Sequence, residues 1–230
     1  MFLKDLFQYR ETGDLEIRDI LSYSGLAFLA VLAYTTMWNI DVILVKHYLS
    51  PPLEAGQYSA ISALGKIVLF APGAIGMVIF PPKAAEKHEK GEEHFQVLLR
   101  GGMGLTLLIS GGGIVLAYAL FPEFIIKIIY GGAKYLNVAP YLWRYGLAMM
   151  FFSLASVMVN YSLSIGKTDI FLYLLGLLTT EIVMLSIGSK NISTIIDMLI
   201  GVSALIPIVL FISIWRQNNA QDINTDARLQ

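Results

Sequence analysis

Lys66 is the residue whose type fits its surroundings least. It stands ten residues into an apolar stretch at residues 56–80. An ammonium near the middle of a membrane helix costs about 2.5–3.5 kcal/mol on insertion scales, so it normally faces water, an acidic partner or an anion. Ser59 and Ser62 precede it at helical spacing, which creates one polar helix face. Two interpretations follow: Lys66 lines a translocation path, or it forms a structural ion pair or extends to the membrane surface.

Asp41 is a second ionisable residue inside an apolar stretch, at residues 20–45, and Asn39 stands two positions before it. An intramembrane carboxylate can relay protons, bind a cation or pair with a lysine. A pair between Asp41 and Lys66 would join the first two helices. The alternative is that Asp41 meets interfacial water about one turn from the end of its helix.

Three further charged residues give weaker signals. Arg144 stands among aromatic residues, a composition typical of an aromatic belt with a cation at the membrane surface. Glu181 and Asp197 are interpreted as interfacial groups or as groups satisfied inside the helix bundle. The aromatic neighbours of Arg144 are Tyr141, Trp143 and Tyr145.

No enzyme motif occurs in the sequence. The chain has no cysteine, and its three histidines, His47, His88 and His94, lack metal-ligand spacing. Neither a Walker motif, a GxSxG elbow nor a dinucleotide fingerprint is present. The net charge of −1 gives no basic surface for nucleic acid. We therefore expect a protein that is not an enzyme, with no cofactor and no nucleic-acid partner.

The elements that must position these residues are membrane helices. Hydrophobic residues make up 56% of the 230 positions and charged residues 14%, whereas soluble domains have about 45–50% and about 25%. A bilayer accommodates this excess, because about 20 apolar residues cross about 30 Å of hydrocarbon as a helix. We predict an all-α membrane protein with six spans, at about 20–45, 56–80, 97–120, 141–165, 170–187 and 195–215.

The rest of the chain is short and polar. We predict an amphipathic cytoplasmic lead-in at residues 1–19, without a cleavable signal peptide, a six-helix lobe at 20–216 and a polar cytoplasmic tail at 217–230. A short interfacial helix and a turn are expected between the third and fourth spans. Ten Lys and Arg residues fall on the side of the termini and five on the other. This excess predicts cytoplasmic termini in a multi-pass protein of the plasma membrane.

A longer pattern runs from Asn39 to Glu86. An Asp lies near the end of one helix, a short loop carries Ala55-Gly56-Gln57-Tyr58, and a second helix carries Leu64-Gly65-Lys66-Ile67 and ends in Phe80-Pro81. This pattern resembles the polysaccharide-biosynthesis, O-antigen-type flippases of the multidrug/oligosaccharidyl-lipid/polysaccharide exporter superfamily. The match is best to the C-terminal six-helix lobe of such proteins.

The resemblance implies a fold and a function. The chain would be one lobe of a MATE-like transporter, which moves lipid-linked oligosaccharide or polysaccharide precursors by alternating access. Lys66, helped by Arg144, would attract the pyrophosphate of the carrier lipid, and Asp41 would couple a cation or gate the cavity. Hydrogen bonds to the sugar would come from Asn39, Tyr58 and Ser62.

The resemblance also implies a partner. A lone lobe would leave Lys66 and Asp41 facing lipid, which is unfavourable. We therefore expect a second six-helix lobe, either a missing N-terminal half or a paired chain. Two alternatives stay open: a lobe of a cation-coupled multidrug exporter, in which acidic cavity residues should dominate, and a non-transporting fragment or assembly module.

Overall fold

Apolar runs bounded by polar turns form a bundle of helices in this protein. A computed structural model describes the backbone of residues 17–48, 52–85, 99–131, 133–188 and 191–229, and the side chains of these residues except 18–19, 73–85, 133 and 215–229. Within these ranges the chain forms no strand. The helices are α1 Ile17–Tyr48, α2 Pro52–Ala85, α3 Leu99–Leu120, α4 Pro122–Tyr130, a 3-10 helix Ala133–Tyr141, α5 Leu142–Ser164, α6 Ile170–Gly188 and α7 Ile192–Leu229. Within α3, the segment Leu107–Val115 is π-helical.

Five of the described helical stretches are long and apolar enough to cross a membrane. They are Ile20–Tyr48, Leu99–Leu120, Lys134–Ser164, Ile170–Gly188 and Ile192–Ile214. These five stretches indicate a multi-pass membrane protein. The predicted second span, 56–80, falls on α2, which is 34 residues long but is not among the five. The side chains of α2 are described only up to residue 72, and this part is enriched in polar residues, namely Gln57, Ser59, Ser62 and Lys66.

The other predicted segments have different outcomes. Residues 1–16 of the lead-in and residues 86–98 of the charged stretch lie outside the described residues. The predicted interfacial helix is found as α4, which ends at Gly131 with a φ of 67°. The last helix, α7, continues through the predicted polar tail to Leu229.

Helix α5 is the centre of the bundle. It packs mainly against α7 and α2, with further contacts to α3 and α1, while α6 packs against α1 and α7. In the span that contains α5, 72% of the most apolar window is buried, against 22–44% in the other four spans. Residues on α5 therefore touch most of the bundle, and a polar side chain there can join several helices.

Hydroxyl groups bond the backbone carbonyls of α2 along one side. Ser110 donates to the Val68 carbonyl at 2.7 Å, and Tyr118 donates to the Leu64 carbonyl at 2.7 Å. Pro72 has no N–H, so the Val68 carbonyl lacks the helical partner that it would otherwise have. The Ser110 hydroxyl replaces that partner, which lets a proline stand inside a buried helix.

The turn between α5 and α6 is built as a Schellman motif. Gly166 has a φ of 79°, which glycine adopts without the steric cost of a Cβ. Its N–H bonds the Leu163 carbonyl at 3.0 Å, and the Lys167 N–H bonds the Ser162 carbonyl at 2.9 Å. These two bonds satisfy carbonyls at the end of α5 and turn the chain directly into α6.

Candidate functional site: a buried carboxylate cluster beside a lysine groove

Asp41 lies in the interior of the bundle. Its side chain is completely buried, so it does not meet interfacial water. Its Oδ2 atom accepts hydrogen bonds from the hydroxyls of Tyr58, at 2.8 Å, and of Tyr145, at 2.6 Å. Its Oδ1 atom has no hydrogen-bond partner among the described residues. Three helices, α1, α2 and α5, therefore meet at one carboxylate.

Tyr145 is the residue that holds this cluster together. Its hydroxyl is also 2.8 Å from the Ser62 hydroxyl, and its ring meets the Tyr58 ring edge to face with centroids 5.7 Å apart. The ring lies so close to α2 that a Cβ on Gly65 would stand 2.1 Å from its Cδ1 atom. The glycine at position 65 therefore makes room for the tyrosine that bonds Asp41.

Lys66 follows Gly65 on α2 and is half-buried. Its ammonium contacts groups outside the Asp41 cluster. It donates to the Asn39 Oδ1 atom at 2.9 Å and lies 5.3 Å from the centroid of the Trp38 ring. Asp41 contributes an electrostatic attraction, but the described residues include no carboxylate oxygen within 4.0 Å of the ammonium. The direct Asp41–Lys66 ion pair considered from the sequence is therefore not formed.

An open groove borders Lys66. It has a volume of about 520 Å³ and is lined by Ala63, Lys66, Ile67, Phe70 and Ala71. Among the described residues, Lys66 is the one ionisable side chain in this lining, so the groove combines apolar walls with one positive charge. An ammonium has three N–H donors, and the structure gives one of them a protein acceptor, on Asn39.

Five of the six predicted site residues fall into two groups. Asp41, Tyr58 and Ser62 meet in the buried cluster, and their hydroxyls and carboxylate bond one another or Tyr145. Asn39 and Lys66 form the pair at the groove. A role of Tyr58 and Ser62 in sugar binding stays a prediction, and both side chains are buried.

Arg144 stands apart from both groups. Its guanidinium donates to the Ser193 hydroxyl at 3.0 Å and forms a salt bridge with Asp197, and both partners belong to α7. Among the described residues no hydrogen bond or ion pair joins Arg144 to Lys66 or Asp41. The structure therefore gives Arg144 a place in the contact between α5 and α7.

Glu181 and Tyr145 are the residues that sequence reasoning missed. Glu181 is completely buried, and neither of its carboxylate oxygens has a hydrogen-bond partner among the described residues. The interpretation of Glu181 as an interfacial or satisfied group is therefore wrong. Tyr145 was assigned to an aromatic belt because of its neighbours, whereas its ring and hydroxyl are fully buried beside Asp41. An unpaired acid in the middle of an apolar span was the available signal for Glu181.

Comparisons of this chain with protein-family models, with curated proteins and with solved structures found no match.

Proposed function

We propose that this chain is one lobe of a membrane translocase that moves lipid-linked oligosaccharide or polysaccharide precursors by alternating access. The observation that carries the proposal is the Lys66 groove, where an ammonium with no carboxylate oxygen of the described residues within 4.0 Å borders an apolar, open surface. A polyprenyl pyrophosphate combines an anionic head with an apolar tail. The groove offers a complementary charge and complementary walls.

The position of Lys66 along its helix supports this proposal. It is the fifteenth residue of α2, about 21 Å from the start of the helix and about 28 Å from its end at 1.5 Å per residue. A hydrocarbon layer about 30 Å thick and centred on α2 would enclose the Lys66 backbone about 11 Å from its nearer edge. Extension of the side chain to the membrane surface is therefore a poorer account of Lys66 than a ligand or a partner at depth.

Asn39 and Trp38 would hold the ammonium in position for an anion. Asn39 accepts one N–H and is itself fixed, because its side-chain amide donates to the Thr35 carbonyl at 2.8 Å. Trp38 stands under the cation and is braced by an edge-to-face contact with Phe70, with centroids 5.3 Å apart. The remaining N–H groups would be available to a pyrophosphate, whose oxygens accept charge-assisted hydrogen bonds.

We further propose that a second six-helix lobe covers this groove. A lysine at this depth is costly when it faces lipid, and a facing lobe would turn the groove into an enclosed, water-containing cavity. In this arrangement the chain is a multi-pass protein of the plasma membrane with cytoplasmic termini, as the distribution of basic residues indicates. The bundle would rock as a rigid body against its partner.

Binding to the full chain in lipid nanodiscs tests the proposal. A polyprenyl pyrophosphate should bind the wild type about 10- to 100-fold more tightly than Lys66→Ala, since a hydrogen bond to a charged group contributes about 1.5–3 kcal/mol. Lys46→Ala is the matched control, because Lys46 is exposed at the end of α1. Equal loss in both variants, or no loss in Lys66→Ala, would contradict the proposal. Translocation of a fluorescent polyprenyl-pyrophosphate sugar in proteoliposomes then tests movement.

One observation favours a second candidate, a lobe of a cation-coupled multidrug exporter. The bundle buries two acidic residues, Asp41 and Glu181, as a cation-coupled exporter requires. Lys66 rather than an acid faces the groove, which argues for an anionic substrate. Binding of a lipophilic cation that survives Lys66→Ala and is lost in Asp41→Asn would favour the exporter. If the chain neither binds nor transports any of these ligands, the remaining hypothesis is a non-transporting fragment or assembly module.

A further inference from the structure

Glu181 is an unpartnered acid inside the bundle. It lies on α6, its side chain has 0% exposure, and both Oε atoms lack a hydrogen-bond partner among the described residues. An ionised carboxylate in this condition would lose its hydration without compensation, at a cost of several kcal/mol. A protonated carboxyl group carries no net charge and is much less costly to bury.

The surroundings of Glu181 contain a second acid. Helix α6 packs against α1, the helix that carries Asp41, and against α7. Asp41 is the charged group with which Glu181 interacts electrostatically. On α7, Asp197 is the one titratable residue between positions 192 and 214, and it is exposed and paired with Arg144. Asp41 is therefore the charged group that matters most for Glu181.

The two acids have different hydrogen-bonding environments. Asp41 accepts two O–H donors, from Tyr58 and Tyr145, which stabilise an ionised carboxylate. Glu181 accepts none among the described residues. Neighbouring carboxyl groups with such unequal environments take different protonation states, as in acid–base pairs of enzymes. Asp41 is suited to carry the negative charge and Glu181 to carry the proton.

A charge count leads to the same conclusion. Asp41 and Glu181 contribute two negative charges when ionised, and Lys66 contributes one positive charge that attracts Asp41. One negative charge is left over in a region of low dielectric constant. A single proton removes it. A metal ion is less suited, because the described residues contain no group of three acidic, histidine or cysteine ligands and the phenols turn their hydrogens toward Asp41.

We propose that Glu181 and Asp41 form a buried proton-binding site, in which Glu181 takes up and releases one proton while Asp41 stays ionised. Uptake forms one O–H bond on an Oε atom of Glu181 with a proton supplied by water, and release breaks the same bond. Lys66 balances Asp41 in the protonated state, whereas deprotonation leaves one uncompensated negative charge on α6, which packs against α1. Asp41 on α1 is in turn bonded to α2 and α5 through Tyr58 and Tyr145. The site thus gives a proton a direct effect on the helices that carry the groove.

This inference deepens the proposed function, because it identifies the proton as the ion whose movement would drive translocation. Its structural basis, the pairing of an unpartnered Glu181 with a bonded Asp41, does not depend on the substrate. The test therefore uses no lipid-linked sugar. Its failure would leave binding of polyprenyl pyrophosphate untouched, and failure of that binding would leave the proton site untouched.

Infrared spectroscopy of the full chain in nanodiscs tests the site directly. Ordinary Asp and Glu residues are ionised at neutral pH, so the C=O stretch of a protonated carboxyl group at pH 7 reports a buried acid. We expect this band in the wild type, its displacement in D₂O and its loss at alkaline pH. The band should disappear in Glu181→Gln and persist in Glu123→Gln, since Glu123 is an exposed carboxylate paired with Lys127 on α4.

Three results would overturn the inference. The absence of the band in the wild type across the neutral range would do so without any variant, so a folding defect in Glu181→Gln cannot obscure the answer. Loss of the band in Asp41→Asn together with its retention in Glu181→Gln would move the proton to Asp41. Disappearance of the band when sodium replaces choline at constant pH would identify a metal-ion site instead.

Discussion

The hydroxyl of Tyr145 donates a hydrogen bond of 2.6 Å to Oδ2 of Asp41, although the two residues stand 104 positions apart in the chain. This bond ties the central helix α5 to α1, and the Tyr58 hydroxyl ties α2 to the same oxygen. A buried carboxylate with two donors is a strong constraint on helix packing, because separating the helices would leave a charge without partners. The cluster should therefore control both the stability and the packing of the bundle.

Removal of one phenol hydroxyl tests this role. Tyr145→Phe keeps the ring and removes the donor to Asp41 and the contact with Ser62. We expect a loss of about 1.5–3 kcal/mol in the free energy of unfolding, the range for hydrogen bonds to charged groups. Equilibrium unfolding in mixed micelles measures it. Tyr173→Phe is the control, because Tyr173 is 45% exposed on α6, and equal effects of the two substitutions would contradict the prediction.

Gly65 should tolerate no side chain. A Cβ there would stand 2.1 Å and 2.6 Å from two ring carbons of Tyr145, and the ring cannot withdraw without breaking its bond to Asp41. We expect Gly65→Ala to lower the free energy of unfolding by about 1–3 kcal/mol or more. Gly56→Ala on the same helix has no atom within 4 Å of the new Cβ, so it should be neutral or stabilising. A stable Gly65→Ala protein with an intact Asp41 cluster would refute this account.

Ser110 and Pro72 should be energetically coupled. Ser110→Ala leaves the buried Val68 carbonyl without its donor, at a cost of about 1–3 kcal/mol. Pro72→Ala restores a backbone N–H that can bond the same carbonyl in the helix. We therefore expect the cost of Ser110→Ala to fall by about 0.5–3 kcal/mol in the Pro72→Ala background. A double-mutant cycle measures this coupling. Additive effects would show that the Ser110 hydroxyl does not replace the backbone N–H that Pro72 lacks.

Cysteine accessibility can separate the groove from the lipid-facing surface. The chain has no cysteine, so a single introduced thiol gives an unambiguous signal. Ala63 lines the groove beside Lys66, and Leu205 is 46% exposed in the middle of α7. In membranes we expect a charged, water-soluble maleimide to label Ala63→Cys at least about tenfold faster than Leu205→Cys, because thiolates form only where water reaches. Equal labelling rates would mean that the groove faces lipid.

Much of the helix pattern follows from the sequence alone. Spans predicted at 20–45 and 170–187 lie inside membrane-length helical stretches, because about 20 apolar residues specify a helix locally. The span predicted at 141–165 extends one residue beyond its stretch. The glycine turn at residue 166 is equally local, since only its φ of 79° is needed to close the end of α5. The predicted span at 56–80 is contained in α2, whose side chains are described only up to residue 72.

The site could be predicted only in part. Lys66 and Asp41 attract attention in the sequence because ionisable residues are rare in apolar spans. Their partners depend on which helix faces are in contact, and hydropathy carries no information about that. The sequence therefore determined that this chain forms apolar helices with polar residues at depth. Only the tertiary structure decided that Tyr145 rather than Lys66 bonds Asp41, and that Glu181 is buried without a donor among the described residues, because both facts arise from packing between helices that are distant in the sequence.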